Sequence, residues 1–456
     1  MNEIVSNLKY VFEPKSVAVV GASRSIEKIG NVIVRNLVEG PYNGEIYPVN
    51  PSAESILGRK CYPDLKSIRK EVECIVVATP MPTVKGIMEQ AEEIGVKGAV
   101  VITGGFGEVG NMQQEKEVAE IAKRAGIAMI GPNCMGTINI ATGVDSVFLP
   151  FYKMGRPRKG GASFISQSGA VGGMIVDMSS YYSVGMSKFV SYGNASVIDE
   201  SDLLEYLMQD RSTREIVIYV EGVKDGKRFF RLLNECRKPV IALKGGRHSE
   251  VEEAVKTHTS AIAGSYETYK AVFKQAGAVE VQDVDELFYV YKVFSQPRMA
   301  GARIGVVSNG GGVGIITADE VVDGGLELAK LSPESLRRLR EVIPPYIKVK
   351  NPADTGGDSN ATRIRSAVEA MLLDPNVDAI VIALLFQTIS LDSTVVDALV
   401  GLSQEAKKPM VVVASGGEYT QQNRKILDSY GIPTYPTPRI AVKALNALLS
   451  YWRKKG

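Results

Sequence analysis

Short, wholly apolar runs alternate along this chain with longer stretches in which apolar residues recur every three or four positions. The short runs predict strands buried on both faces, and the longer stretches predict amphipathic helices. In the first third of the chain the predicted strands with their turns are residues 16–23, 45–51, 74–80, 98–108 and 128–136, and the predicted helices are 26–40, 84–95 and 113–126. This alternation predicts a doubly wound parallel sheet, whose ligands bind across the carboxyl ends of the strands.

The same pattern returns twice further along the chain. Residues 161–173 form an apolar run followed by a glycine-rich turn, and residues 301–314 repeat this pattern. In the same way, residues 408–417 repeat the pattern of residues 238–247. A segment rich in Gly, Lys and Arg, residues 153–161, predicts a linker. We therefore expect three α/β domains, at 1–150, 151–297 and 298–456.

Composition narrows the class of protein. Of 456 residues, 45% are hydrophobic and 23% charged, as in ordinary soluble globular proteins. The net charge of +2 gives no bulk attraction to nucleic acid. The spacing of the four cysteines resembles neither a zinc cluster nor a secreted disulfide framework, and the N-terminus lacks the layout of a signal peptide. The longest apolar run, 379–386, is too short to span a bilayer. We expect a cytoplasmic, metabolite-handling protein with no nucleic-acid or membrane partner.

The first strand-to-helix turn resembles a dinucleotide-binding turn but departs from its glycine pattern. Gly21 is followed by Ser23 and Ile26 where the second and third glycines would stand. The next strand ends in Asn50, whereas an NAD site prefers an acidic residue there. These departures disfavour a nicotinamide-dependent oxidoreductase. Lys28 and the helix N-terminus could instead hold a phosphate or pyrophosphate group.

Both histidines of the chain, His248 and His258, lie in the stretch 242–265, where a predicted strand ends and a polar loop follows that is longer than its counterpart in the second copy. A neutral imidazole can act as a nucleophile or base near pH 7, so His258 is a candidate catalytic residue, although a loop histidine is more often solvated or a helix cap. His248 is predicted to lie on the loop surface. Glu221, at the end of another predicted strand, could fix the imidazole tautomer; its alternative role is a surface carboxylate.

The turn after the apolar run at 161–165 carries Ser166, Gln167, Ser168 and Gly169. Hydroxyls and free backbone N–H groups at the start of a helix favour an anion, but serines also serve there as plain helix caps. The similar turn at 308–314 has no accompanying histidine. The polar loop 351–358 suggests no assignment.

Ten motifs in order along the chain resemble one family. They are PKSVAVVGAS, VNP, ATP, ITGGFGE, GPNCMG, SQSGAVG, YVEGVKDG, the KGGR-to-HTSAIAG loop, SNGGGVG and NPADTGGD. The family is the α subunit of NDP-forming acyl-CoA synthetases, chiefly the ADP-forming acetyl-CoA synthetases and more distantly the succinyl-CoA synthetases. The resemblance implies a Rossmann-like, coenzyme A-binding first domain followed by two flavodoxin-like, doubly wound ligase domains.

The resemblance also implies roles for individual residues. Those that would hold coenzyme A are Gly21, Ser23, Lys28, Asn50, Pro51, Thr79, Pro80, Thr103, Glu108, Asn133 and Cys134. Ser166 to Gly169 would hold inorganic phosphate. His258 would carry a phosphoryl group from acyl phosphate, with Glu221 holding the phosphorylated imidazole, in the reversible conversion of acyl-CoA, ADP and phosphate to acid, CoA and ATP.

The resemblance implies that the nucleotide is bound by another polypeptide. This chain has no Walker motif and no segment recognisable as an ATP-grasp domain. A β subunit with that domain would bind ADP or ATP and Mg²⁺, in a predicted α2β2 heterotetramer, and no metal site is expected here. The alternative is a regulatory protein of the same fold that binds coenzyme A without catalysis.

Overall fold

A computed structural model describes residues 2–248 and 265–455, so His258 and most of its loop lie outside the described residues. The chain forms two compact units, Met1–Ser180 with Gly185–Val284, and Tyr181–Val184 with Asp285–Gly456. Each is a layered α/β structure. In the described ranges no helix is both long and apolar enough to cross a membrane.

The first sheet of unit 1 is parallel, with the strand order β2-β1-β5-β6-β7. Its strands are β1 Ser16–Val20, β2 Glu45–Val49, β5 Cys74–Val77, β6 Gly98–Val101 and β7 Ala128–Ile130; a small hairpin adds β3 Ser55–Ile56 and β4 Arg59–Lys60. Along β1, Val17 and Val19 join one apolar cluster while Ala18 and Val20 join another. The strand is wholly apolar beyond Ser16 because both faces of the sheet are covered.

The second sheet of unit 1 has the order β14-β13-β12-β10-β11-β8-β9 and is parallel except at β8 and β9. Its strands are β8 Gly136–Asn139, β9 Val144–Asp145, β10 Lys159–Ser166, β11 Met186–Ser191, β12 Glu215–Val220, β13 Val240–Lys244 and β14 Val279–Val281. The helices from the N-terminus to the end of this region are α1 Glu3–Ser6, α2 Lys9–Phe12, α3 Ile29–Glu39, α4 Met81–Glu93, α5 Met112–Arg124, α6 Gly169–Tyr181, α7 Glu200–Gln209, α8 Gly226–Glu235, α9 Tyr266–Ala276 and α10 Val284–Tyr291.

Unit 2 contains a parallel sheet of order β16-β15-β18-β19-β20, with β17 paired to β15. Its strands are β15 Arg303–Ser308, β16 Glu327–Leu328, β17 Ala353–Asp354, β18 Ala379–Ala383, β19 Met410–Val413 and β20 Thr434–Tyr435. Its further helices are α11 Gly311–Asp323, α12 Pro333–Val342, α13 Ala361–Leu373, α14 Thr394–Glu405, α15 Glu418–Ser429 and α16 Pro438–Lys455. Side chains of β18 alternate between two apolar clusters, as in β1.

Two predicted boundaries were wrong. The helix predicted from residue 26 begins at Ile29, and Ile26 is 70% exposed in the preceding loop. The predicted linker 153–161 is wrong at its end, because β10 begins at Lys159 and pairs with β11 there. The division of domains at residues 150 and 297 stays a prediction. Strands β8 and β9 precede residue 150 but belong to the second sheet.

Candidate active site

A pocket of about 270 Å³ lies at the carboxyl ends of β1, β2 and β5. Five residues predicted to contact coenzyme A line it: Gly21, Asn50, Pro51, Thr79 and Pro80. Most of the remaining lining is apolar, including Leu65 and Ile87. A small, mostly apolar pocket at this edge of a parallel sheet is suited to a nucleotide base.

Close backbone packing shapes the turn beside this pocket. Gly21 has φ +91°, and a Cβ there would lie 2.5 Å from the carbonyl oxygen of Ala78. A Cβ on Gly30, in the first turn of α3, would overlap the carbonyl oxygen of Gly21. Gly30 therefore allows the close approach of helix and strand for which the dinucleotide-binding pattern uses its third glycine. In the sequence, Ile26 stands at the position of that glycine. The loop between Gly21 and α3 is longer than in that pattern, so the glycine lies later in the sequence than the pattern predicts.

The other predicted residues of this turn have different surroundings. Asn50 donates from Nδ2 to the carbonyl oxygen of Ala22 at 2.7 Å and accepts from the Ser52 N–H at 2.8 Å, so its amide holds two loops together. Ser23 is half-buried, and Lys28 is exposed immediately before α3. Neither lines the pocket, but both lie in the loop that runs from Gly21, which lines this pocket, to Ile29, which lines the larger cavity described next.

A cavity of about 710 Å³ lies in the same unit, and five predicted site residues line it. Asn133 and Cys134 come from the turn after β7, and Gln167, Ser168 and Gly169 come from the start of α6. Its further lining residues are Ile29, Ile102, Met135, Phe148, Leu149, Lys153, Met154, Ala170, Gly173, Met174, Asp177, Gly193 and Asn194. The turn predicted to bind phosphate therefore faces the end of the sheet predicted to bind coenzyme A.

Cys134 packs as a buried, protonated thiol. Its Sγ lies 3.3 Å from the carbonyl oxygen of Val101, and burial raises its pKa to about 12. A thiol with this pKa is not a nucleophile near neutral pH. The preceding Asn133 has φ +56° and directs its Nδ2 to Oδ1 of Asn194 at 3.3 Å. The turn supplies shape and polar contacts to the cavity, not a reactive sulfur.

The start of α6 presents backbone donors to the cavity. Ser166 is fully buried, and its hydroxyl donates to the carbonyl oxygen of Ser168 at 2.6 Å, which shapes the turn. Ser168 Oγ accepts from the Val171 N–H at 3.4 Å. The first N–H groups of a helix, here those of Gly169 and Ala170, have no carbonyl acceptor within the helix. Together with the helix dipole they form a suitable site for an anion.

Glu221 is held against the same turn. Its carboxylate, 7% exposed as a residue, accepts from the Tyr219 hydroxyl at 3.1 Å. The N–H groups of Glu221 and Gly222 both donate to Oε1 of Gln167, at 2.7 and 3.1 Å. Burial and the nearby Glu221 raise the pKa of Tyr219, so its hydroxyl stays a donor. The structure thus shows a direct contact between the turn at Gln167 and the loop after β12, whereas the sequence could place them only at the ends of two predicted strands.

The structure contains a polar network around Asn194 that was not predicted from the sequence. Asn194 Nδ2 donates to Glu108 at 2.7 Å and to Glu115 at 2.8 Å, so it links the loop after β6 to the loop after β11. Burial opposes ionisation of Glu108, but the hydrogen bonds from Asn194 and from backbone N–H groups outweigh it and lower its pKa. The only signal in the sequence was a Gly-Asn turn after a strand.

Thr103 and Lys224 complete these loop contacts. Thr103 donates to the carbonyl oxygen of Thr79 at 2.7 Å, and Lys224 Nζ donates to the carbonyl oxygens of Asn194 and Ala195 at 3.0 and 2.6 Å. Neither Thr103 nor Glu108 lines either cavity.

Within the described ranges, no group of three or more His, Cys, Asp or Glu side chains is arranged to hold a metal ion.

Three family models match successive parts of the chain. A CoA binding domain matches residues 15–140, a succinyl-CoA ligase like flavodoxin domain matches 159–294, and a ligase-CoA domain matches 304–455. The fold and these three matches define a ligase chain that handles coenzyme A.

Full-length relatives narrow the assignment. The chain is 36% identical to subunit alpha of acetate–CoA ligase [ADP-forming] II of Pyrococcus furiosus, over 98% of this chain and 99% of that protein. It is 38% identical to the acetate–CoA ligase [ADP-forming] of Methanocaldococcus jannaschii, over 97% of this chain but only 63% of that longer protein. The chain belongs to the family of α subunits of ADP-forming acetate–CoA ligases.

A solved structure agrees with this assignment. It is that of a dinucleotide-forming acetyl-coenzyme A synthetase 1 of Ca. Korarchaeum cryptofilum in complex with phosphate and ADP, which shares 34% identity at a TM-score of 0.90, over 98% of this chain and 97% of that chain. The similarity extends across the whole α/β architecture predicted from the sequence.

Proposed function

We propose that this chain is the catalytic α subunit of an ADP-forming acid–CoA ligase that converts acyl-CoA, ADP and phosphate reversibly to acid, CoA and ATP, with acetyl-CoA as the expected acyl-CoA. One observation carries the proposal. The donor-rich start of α6 and the turn at Asn133 line a single cavity of about 710 Å³. An anion at the start of α6 and a thioester at the Asn133 turn would therefore lie in the same cavity, as a reaction between them requires.

Coenzyme A would extend along the loop between the two cavities. Its adenosine suits the small pocket beside Gly21 and Pro51, and its phosphates suit the loop that carries Ser23 and Lys28. The pantetheine arm would then enter the large cavity, which Ile29 also lines. Thr103 and Glu108 would act through the loops they hold, since the structure gives them protein partners.

The first step joins phosphate to the acyl group. A phosphate oxygen attacks the thioester carbonyl, the new C–O bond forms, and the C–S bond breaks to release CoA. The N–H groups of Gly169 and Ala170 would hold the phosphate, whose remaining charge they stabilise without reorganisation. Cys134 takes no covalent part, because its thiol is protonated near neutral pH.

The second step would move the phosphoryl group to His258. Nitrogen attack on phosphorus forms the N–P bond and breaks the bond between phosphorus and the acyl oxygen, so the acid leaves as its carboxylate. The relay divides a difficult transfer into two easier ones. Glu221 would accept a hydrogen bond from the opposite ring nitrogen, and its buried contact with Tyr219 supports a fixed orientation. His258 itself lies outside the described residues, and its role comes from the family resemblance.

The final transfer to ADP requires a nucleotide site. We propose that a β subunit with an ATP-grasp domain binds ADP and Mg²⁺ and that two copies of each subunit form an α2β2 assembly. Relatives described as α subunits support a separate partner, while the longer Methanocaldococcus jannaschii protein would carry the equivalent region in one chain. Family membership favours this enzyme over a non-catalytic CoA-binding regulator.

The test is ATP formation by the reconstituted complex. The chain is co-expressed with its candidate β subunit and mixed with acetyl-CoA, ADP, Mg²⁺ and phosphate. We expect ATP and free CoA to appear in equal amounts, and only when phosphate is present. CoA binding without any ATP formation, for acetyl, branched-chain and aryl thioesters alike, would favour the regulatory alternative.

A further inference from the structure

Two adjacent glycines of α6 have different surroundings. A Cβ on Gly172 would lie 2.7 Å from ring carbons of Phe189, so the packing of the helix against this ring leaves no room for a side chain. The three heavy atoms nearest a Cβ on Gly173 belong to Met135 and Leu149, at 3.5 to 3.8 Å, which is ordinary van der Waals contact. Packing therefore explains the first glycine but not the second.

The start of α11 in unit 2 shows that a helix of this kind does not need the second glycine. Ser308 ends β15 as Ser166 ends β10, and each hydroxyl donates to the carbonyl oxygen two residues later, at 2.7 and 2.6 Å. This equivalence aligns Gly173 with Ile315, a large side chain that is 59% exposed. Because glycine is also a poor helix former, its presence at Gly173 requires another explanation.

Gly173 belongs to the face of α6 that lines the large cavity. The lining residues of this helix beyond Gly169 are Ala170, Gly173, Met174 and Asp177, whose spacing places them on one side of the helix. Gly173 lies one turn beyond Ala170, about 5 Å along the helix axis. An acyl group that joins a phosphate at the start of α6 would therefore lie close to Gly173.

The space beside Gly173, which we call the recess, has an apolar border. Sδ and Cε of Met135 and Cδ1 of Leu149 border it, and Met154 and Met174 line the same cavity. Flexible methionine side chains adapt to ligands of different shape. A charged group placed against the border would lose its hydration and gain no charged partner from these side chains. The recess therefore suits the methyl and methylene groups of an uncharged acyl chain.

We propose that Gly173 determines which acyl groups the chain accepts: because it lacks a side chain, it keeps open an apolar recess for the carbons of an acyl group beyond the methyl carbon of acetyl. This inference rests on the proposed function, which places the thioester at the Asn133 turn and the phosphate at the start of α6 in the same cavity. Acetyl-CoA leaves the recess empty, whereas propionyl-CoA and isobutyryl-CoA fill it. The expected substrates extend from acetyl-CoA to short, uncharged alkanoyl thioesters.

Binding of thioesters to the purified full chain tests the inference without requiring turnover. We expect wild type to bind acetyl-CoA and isobutyryl-CoA with similar dissociation constants in titration calorimetry. In Gly173→Ala the added Cβ lies in ordinary contact with its neighbours, so it fills part of the recess without strain. The ratio of the dissociation constant of isobutyryl-CoA to that of acetyl-CoA should then rise about tenfold, as for one methylene-sized change in an apolar pocket.

Further variants separate the recess from other effects of the substitution. Gly401→Ala makes the same change in the interior of α14, where no other part of the chain lies within 4 Å of the added Cβ, and should keep the wild-type ratio. Leu149→Ala in the Gly173→Ala chain removes Cδ1 from the border and should return the ratio toward wild type. Leu149→Ala alone enlarges the recess and should lower the ratio, which keeps the test open if Gly173→Ala does not fold.

Melting temperatures identify the folded variants, and three results would overturn the inference. The first is a wild-type ratio in folded Gly173→Ala and in Leu149→Ala. The second is an equal loss of affinity for CoA, acetyl-CoA and isobutyryl-CoA, because that result would place the pantetheine arm against Gly173. The third is a wild-type chain that binds isobutyryl-CoA about tenfold or more weakly than acetyl-CoA, as a closed pocket would. ATP formation by the complex is measured separately, so failure of the proposed function is distinguishable from failure at Gly173.

Discussion

At the scale of single residues, several groups of this site have protein partners that shape the site itself. Ser166 is buried and shapes its turn, and Asn50 bridges two loops. Cys134 is a packed thiol. Residue type and position in a turn predict ligand contacts for all three, and these contacts stay predictions; burial and hydrogen-bond partners show that each residue also supports the framework of the site. Gly30 belongs to the same class, because the turn at Gly21 can approach α3 only where a side chain is missing.

The variant Gly30→Ala tests this close approach. Its Cβ would overlap the carbonyl oxygen of Gly21, so the helix or the turn must move. We expect a loss of about 1–3 kcal/mol in the free energy of unfolding, as for other overpacked sites, and weaker binding of CoA. Denaturant unfolding followed by circular dichroism, with CoA titration, measures both.

The control for Gly30→Ala is Gly86→Ala in α4. No atom lies within 4 Å of the added Cβ there, so the change should be neutral or slightly stabilising, since alanine is the better helix former. If both variants unfold alike and bind CoA alike, the steric account of Gly30 is wrong.

At the scale of elements, apolar runs predicted the buried strands well because both faces of each sheet are covered. The ends of elements were less predictable. Lys159 to Gly161 contain no large apolar residue, yet they extend β10, because register with β11 decides where that strand begins. The chain just before the predicted linker and the start of the linker itself also form part of the wall of the large cavity, to which they supply Phe148, Leu149, Lys153 and Met154.

One ion pair holds that wall segment. Arg156 contacts Asp145 at 2.6 Å, with side-chain exposures of 11% and 5%, and also donates to the carbonyl oxygens of Leu149 and Met154 at 2.8 and 2.5 Å. Burial raises the pKa of Asp145, and the adjacent guanidinium opposes that shift. Without Arg156, the buried carboxylate of Asp145 would lose its charged partner and keep the N–H of Val147, and the carbonyl oxygens of Leu149 and Met154 would each lose one donor.

The variant Arg156→Ala should therefore destabilise the protein by about 3–5 kcal/mol, as expected when one partner of a buried pair is removed. It should also make residues 148–154 accessible to limited proteolysis. Arg124→Ala removes a surface pair with Glu92, whose side chains are 61% and 31% exposed, and should leave both measurements near wild type. Equal effects of the two variants would contradict the assigned role of Arg156.

At the scale of the whole molecule, the alternation of strands and helices was enough to predict three doubly wound sheets, which are parallel in the structure except at β8 and β9. It could not predict that β8 and β9 cross into the second sheet, or that Asn194 joins Glu108 and Glu115, because such contacts link residues far apart in sequence. The candidate site was predictable as a set of turns at strand ends. Its separation into a small pocket, a large cavity and a supporting network required the structure.

The central claim is that one histidine of this chain carries phosphorus between the thioester side of the reaction and a nucleotide on the partner subunit. His258 differs from His248, which is exposed just after β13 and has no proposed role. The complex of the chain with its candidate β subunit is incubated with ATP labelled at the γ-phosphate and Mg²⁺, and the label on the α chain is tested in acid and base.

The account predicts that wild type and His248→Ala acquire a label that is stable in base, labile in acid and discharged by acetate with CoA. It predicts that His258→Ala binds CoA normally but acquires no label. A wild-type complex that forms acetyl-CoA from acetate, CoA and ATP while never carrying this label, or a His258→Ala complex that still carries it, would contradict the claim.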